Sequence, residues 1–216
     1  MPADLNEILL AFKDKLEGRI HQHIIREYQI DVYSRELERY RFGGMGPTED
    51  FFCASSELAL SFLKFQLSRQ EPNSYQIALI TVRDMLSVFL PGAGDQLQFT
   101  SESYLQFLAE FDGKTIRLEL DRKYRELRVP ILAALNYPDF EHRSGSARIH
   151  RKFRKALKLL HENIAGNNDQ LPGYLRSIIH LHLNRIFTDE ARKQEMIIYY
   201  LLHKYLLSEK GKKNKN

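Results

Sequence analysis

The residues best suited to chemistry sit together in one stretch, YLRSIIHLHLNRIF, at 174–187. It holds His180 and His182, with Ser177, Asn184 and Arg185 set among apolar neighbours. Neutral imidazole accepts protons near neutral pH, and arginine is a permanent cation whose planar fork matches a carboxylate. The apolar positions recur at helical spacing with no breaker. On a helix Leu175, Ile179, His182 and Ile186 share one face, and Ser177, His180 and Asn184 form a narrow polar seam opposite. The histidines therefore diverge, although on a strand they could share a metal. A buried polar seam needs partners or a purpose, so each histidine is either satisfied by a neighbour or used.

Two further sets of charged residues stand out. In YSRELERY, 33–40, Glu36 and Arg39 lie at i, i+3 and can touch if the segment coils. As a surface ion pair they would contribute only ~0–1 kcal/mol. Residues 142–161 hold Arg143, Arg148, Arg151, Lys152, Arg154, Lys155 and Lys158 without one acid. A helix would cluster Arg148, Arg151, Lys152 and Lys155 on one side, with Phe153, Leu157 and Leu160 elsewhere. That stripe is either a solvated face or a holder for an acidic peptide, a glutamyl carboxylate or tRNA phosphates.

Two of these blocks carry a family resemblance. Ser177, His180, His182, Asn184 and Arg185 follow a pattern of Ser, two apolar residues, His-x-His, one residue and Asn-Arg. That pattern resembles the closing helix of the elimination domain of lantibiotic dehydratases, shared with thiopeptide-type bacteriocin biosynthesis proteins. The block DVYSRELERYRFGG, 31–44, resembles the same family and stands upstream in the same order. Glu49 and Phe52 also fit the family pattern, but Ser55 stands where the family has an aspartate.

The resemblance implies a reaction. A partner domain esterifies Ser or Thr of a precursor peptide with glutamate from glutamyl-tRNA, and the elimination domain expels glutamate to leave dehydroalanine or dehydrobutyrine. That step needs a base for the Cα proton, a cation for the developing enolate and another for the departing carboxylate. The resemblance places Glu36 and Arg39 in the active site. His180 suits proton transfer and Arg39 anion holding, with Glu36 orienting Arg39. Which group takes the proton stays open. Ser177, Asn184, Arg185 and Tyr33 join as substrate-binding residues. No metal and no cofactor is expected. The expected partners are a glutamylated precursor peptide and an upstream dehydratase or glutamylation protein, with tRNA involved only indirectly. Two rivals stand beside this reading: a cycloaddition enzyme that builds the thiopeptide pyridine, and a non-catalytic peptide-docking module.

Elements must position these groups. The expected fold class is α+β, predominantly helical, with one or few strands belonging to a small sheet. Apolar spacing predicts helices over 4–17 (ended by Gly18), 57–68, 75–90 and 114–136 (with a break or kink at Pro130). Another, capped by Thr100 or Ser101, runs to Phe111, and a last one ends near Leu207. Alternation at 27–33 predicts a half-buried strand, whose unpaired edge calls for further strands from this chain or another. The family's upstream sheet and its arginines are not found here. The expectation is a partial elimination domain over 1–207 that needs a partner chain and can dimerise through the strand edge, then a disordered basic tail at 208–216.

Composition sets bounds. The net charge of +4 owes +3 to the tail SEKGKKNKN, so the high pI is poor support for nucleic-acid binding. A single cysteine, Cys53, excludes a disulfide framework and suits the cytoplasm. The N-terminus lacks a signal-peptide layout, and the longest apolar run, 196–202, is far below the ~20 residues of a membrane span.

Overall fold

Helical periodicity runs through nearly the whole chain, and the computed structural model realises it. The structure describes residues 5–29, 34, 36–67, 74–111, 113–136, 147–164 and 168–213, and its regular elements are all helical. No strand occurs among the described residues, which corrects the α+β expectation to an all-α fold. Residues 25–29 are irregular, 27–29 are exposed, and 30–33 lie outside the described residues. Alternation over seven positions marks a strand only where a neighbour pairs its backbone, and the described residues hold no strand to do so.

The chain divides into two compact units, Met1–Glu36 and Leu37–Asn216. The first holds α1 (Leu5–His21), which continues through Gly18. An added Cβ there would meet nothing within 4 Å, so that glycine lowers helix propensity without forcing a stop. A turn follows, with His23 at φ 57.

The second unit begins with a short helix α2 (Leu37–Tyr40) and a 3₁₀ turn (Arg41–Gly43). Then come α3 (Met45–Leu67), α4 (Ser74–Phe89), α5 (Ala93–Glu110), α6 (Gly113–Asn136), α7 (Ala147–Glu162), α8 (Leu171–Ile186) and α9 (Ala191–Lys213). Several ends differ from the sequence reading for local reasons. Pro47 and Pro172 lie inside the first turns of α3 and α8, where a missing N–H costs nothing. Helix α5 starts a full two turns before Thr100, whose hydroxyl donates back to the Gln96 carbonyl (2.8 Å) instead of capping. Helix α6 runs through Pro130. Helix α9 extends beyond Leu207 to Lys213, supported by a Lys212–Glu209 pair at 2.6 Å, and 214–216 lie outside the described residues.

Helix α8 is central, with contacts to α3, α4 and α9; α9 lies along α5 and α3 along α7. Leu175, Ile178, Ile179 and Leu183 of α8 are fully buried, as are Leu79, Met85 and Leu86 of α4. Helix α7 buries His150, Phe153, Leu157 and Leu160, and His150 Nε2 meets Asp84 of α4 at 3.0 Å. The two blocks of family-like sequence also join here. Tyr174 at the start of α8 donates its hydroxyl to Thr48 Oγ1 (2.9 Å), which itself donates to the Gly44 carbonyl (2.7 Å). The Tyr174 ring packs edge-on against Tyr40 and Phe42.

That junction depends on Gly43. A Cβ there would stand 2.1 Å from the Tyr174 hydroxyl oxygen and 3.1 Å from Leu160, with Tyr174 already tied to Thr48. Gly43→Ala should therefore cost ~1–3 kcal/mol, the range for overpacking a tight core. Gly46→Ala, where a Cβ would meet nothing within 4 Å, should not destabilise. Thermal melts of the pair check this, and equal melting temperatures would contradict the packing described.

Candidate functional site

The polar groups of α8 go in two directions. His182 faces inward and is fully buried. Thr81 Oγ1 of α4 donates to the Ile77 carbonyl (2.8 Å), so it can only accept from His182 Nε2–H (2.8 Å). That places the proton on Nε2 and leaves Nδ1 to accept from the Ser55 hydroxyl of α3 (2.8 Å). Both ring nitrogens are satisfied inside the protein. Burial first, and then the nearby Arg185 charge, hold the His182 pKa down to about 3, so the ring is neutral. Ser55, the departure from the family pattern, is thus one of its two partners.

His180 faces the other way, towards α9. Its Nδ1 lies 2.7 Å from Glu195 Oε2, and Asn184 Nδ2 donates to its Nε2 at 3.1 Å. The imidazole is about one quarter exposed, and the Glu195 side chain is nearly sealed. On the same flank Arg176 donates to Ser103 Oγ (3.1 Å) and to Glu102 (3.3 Å) of α5, with its guanidinium over Phe99. Arg192 of α9 grips Glu110 of α5 through two bonds of 2.6 and 3.1 Å, an interaction that raises its pKa.

Arg185 points to α3. Its Nε donates to Ser56 Oγ (3.0 Å), a second nitrogen donates to the Leu181 carbonyl, and the guanidinium lies over Phe52 at 5.1 Å. Burial lowers its pKa, against the opposing influence of Tyr40 and Cys53 nearby. Arg39 stacks over Tyr40 at 5.5 Å. So the two guanidiniums flank the Tyr40–Phe52 aromatic pair, whose rings are 5.2 Å apart.

The other expected residues fall as follows. Glu36 is exposed and ends the first unit, while Arg39 belongs to the second. Tyr33 lies outside the described residues. Ser177 is half-buried on α8. No hydrogen bond or ion pair among the described residues joins His180 to Arg39. On α7, Arg148, Arg151, Lys152 and Lys155 are all exposed, and Lys152 reaches Glu57 at 2.5 Å. No group of three metal-ligating side chains occurs among the described residues. Sequence reading missed Glu195, Thr81 and Arg176. Glu195 had a signal: it is the acid that directly precedes an apolar and aromatic run, Met196 to Leu202.

Comparison with known proteins places the chain in a family. The family described as lantibiotic biosynthesis dehydratase, C-terminal, matches residues 1–206, and the chain belongs to it. The chain is similar to the subtilin biosynthesis protein SpaB of Bacillus subtilis, at 27% identity over 190 residues. The alignment covers 83% of this chain and 18% of that protein, so the chain spans under one fifth of its curated relative's length. No solved structure matches. No helix among the described residues is long and apolar enough to cross a membrane.

The buried histidine sets a pH dependence. Its folded pKa, about 3, lies below the unfolded value of ~6.5, so the native state binds fewer protons. Its contribution is complete above about pH 6.5 and is lost as pH falls towards 3, at ~1.4 kcal/mol per pH unit. His182→Asn should be less stable near neutral pH by ~1–3 kcal/mol. Between about pH 6 and 4 its stability should also fall less steeply than that of the wild type. Urea unfolding across this range tests both, and parallel stability–pH curves would contradict a buried neutral imidazole.

Proposed function

We propose that this chain carries out glutamate elimination from glutamylated Ser or Thr of a ribosomal precursor peptide, leaving dehydroalanine or dehydrobutyrine. The observation that supports it best is His180, about one quarter exposed on a buried helix, with a carboxylate on one ring nitrogen and an amide donor on the other. Such a ring is held in place and can take a proton at the nitrogen that Asn184 vacates. Arg39 and Arg185 supply guanidiniums for the glutamate that departs, with Ser177 as a further contact to the peptide.

The upstream glutamylation protein delivers the modified peptide, and tRNA is met only through that partner. A cytoplasmic setting fits this supply. The basic face of α7, Arg148, Arg151 and Lys155 above all, suits an acidic partner surface. A second reading, a docking module without chemistry, is favoured by one observation: both ring nitrogens of His180 and two nitrogens of Arg185 are already engaged by partners within this chain.

Two substitutions separate these readings. His180→Ala should abolish elimination in a protein that still folds, with a lowered melting temperature because the sealed Glu195 loses this partner. Arg39→Ala should lower the rate by ~10²–10³-fold, as loss of a fixed charge-stabilising group does, and Arg39→Lys should also be impaired. The assay follows conversion of glutamylated to dehydrated peptide by mass spectrometry with the upstream partner present. Wild-type turnover in His180→Ala, or peptide binding without turnover in the wild type, would favour the docking module.

A further inference from the structure

We propose that Glu195 is the positioning residue of His180, fixing the imidazole with its proton on Nδ1 and leaving Nε2 as the proton-accepting atom. The catalytic use of this arrangement rests on the elimination reading above; the positioning rests on geometry alone.

Glu195 is 3% exposed on an α9 face shared with Ile198, Tyr199 and Leu202. A carboxyl group in such a place needs a hydrogen-bond partner. The charged and polar groups around it are Arg192 and Tyr199 of α9, Arg176 of α8, and Glu102, Ser103 and Glu110 of α5. Arg176 is engaged by Ser103 and Glu102, and Arg192 by Glu110. Tyr199 stays protonated, since burial, and then Glu195 itself, push its hydroxyl well above the ordinary range. The hydrogen bond to Glu195 at 2.7 Å comes from His180.

A carboxylate only accepts, so Nδ1 must carry the proton. Asn184 leads to the same assignment from the opposite side of the ring: its amide nitrogen donates to Nε2, which must therefore offer a lone pair. Two independent partners agree on one tautomer. Asn184 is exposed and one turn away, so it can turn aside when a substrate Cα–H arrives. Nε2 then takes the Cα proton, the released electron pair forms the Cα=Cβ bond, and the Cβ–O bond breaks with glutamate leaving as its carboxylate. The imidazolium so formed keeps Nδ1–H on Glu195, opposite a negative charge.

Nitrogen-15 NMR of the full chain with labelled histidine reads the tautomer directly. The wild type should show His180 protonated on Nδ1, and a population protonated on Nε2 should appear in Glu195→Ala. Glu195→Gln, which keeps shape but not charge, should lower elimination by ~10²–10⁴-fold with the partner present, up to the usual contribution of a general base. A wild-type His180 protonated on Nε2 overturns the proposal without any variant. So does an unchanged Nδ1 tautomer in Glu195→Ala, or full activity in Glu195→Gln while His180→Ala is inactive. If His180→Ala keeps its activity, the elimination reading falls and the NMR result still decides what Glu195 does.

Discussion

His182 is the constraint on which the arrangement of helices depends. One neutral imidazole ties α8 to α3 through Ser55 and to α4 through Thr81, at 2.8 Å on each side, in a part of the protein that excludes water. Sliding or rotating α8 would orphan the ring and both hydroxyls, at ~1–3 kcal/mol for each buried group left unpaired. Apolar contacts alone tolerate small rotations far better, because they are non-directional. The fixed rotation of α8 then decides everything else about the site. With 100° per residue, His180 must emerge towards α9 and Arg185 towards α3.

The flank between α5, α8 and α9 repeats this logic with charges. Arg176 and Arg192 each close on a carboxylate of α5, and their guanidiniums lie over Phe99 and Phe107. Exposed pairs of this kind contribute little energy by themselves. Their use is geometric: with both arginines committed to α5, the sealed carboxylate of Glu195 is left for His180. Core packing and side-chain chemistry are therefore one arrangement, in which α9 holds the acid, α8 the histidine and α5 the counter-charges.

The helical period made α8 legible, including the divergence of its histidines, because 100° steps require only the sequence of one helix. Partners across helices were not legible in that way. Glu195 reads locally as a solvated acid near the start of α9, and only the packing of α9 on α8 shows it sealed against His180. Thr100 has the composition of a cap, yet its hydroxyl finds a carbonyl four residues back inside a longer helix. The described part of the strand expected at 27–33, residues 27–29, is irregular for the converse reason. Alternation describes one segment, whereas a strand exists through its neighbour. Ser55 marked a departure from the family pattern, and the structure gives that departure a physical meaning: a hydroxyl that can donate to His182 Nδ1.

The separation of His180 from Arg185 and Arg39 follows from the same geometry. His180 serves the α9 side, while Arg185 and Arg39 flank the Tyr40–Phe52 pair on the α3 side. A helix with its side chains is ~10–12 Å across, so groups on opposite flanks are separated by about that thickness. In the elimination proposed above the proton leaves Cα while the carboxylate leaves Cβ, which are adjacent atoms. A cation across the thickness of α8 therefore meets the glutamyl group at its free carboxylate, at the far end of a chain comparable to two extended residues, ~7 Å, and not at the bond that breaks.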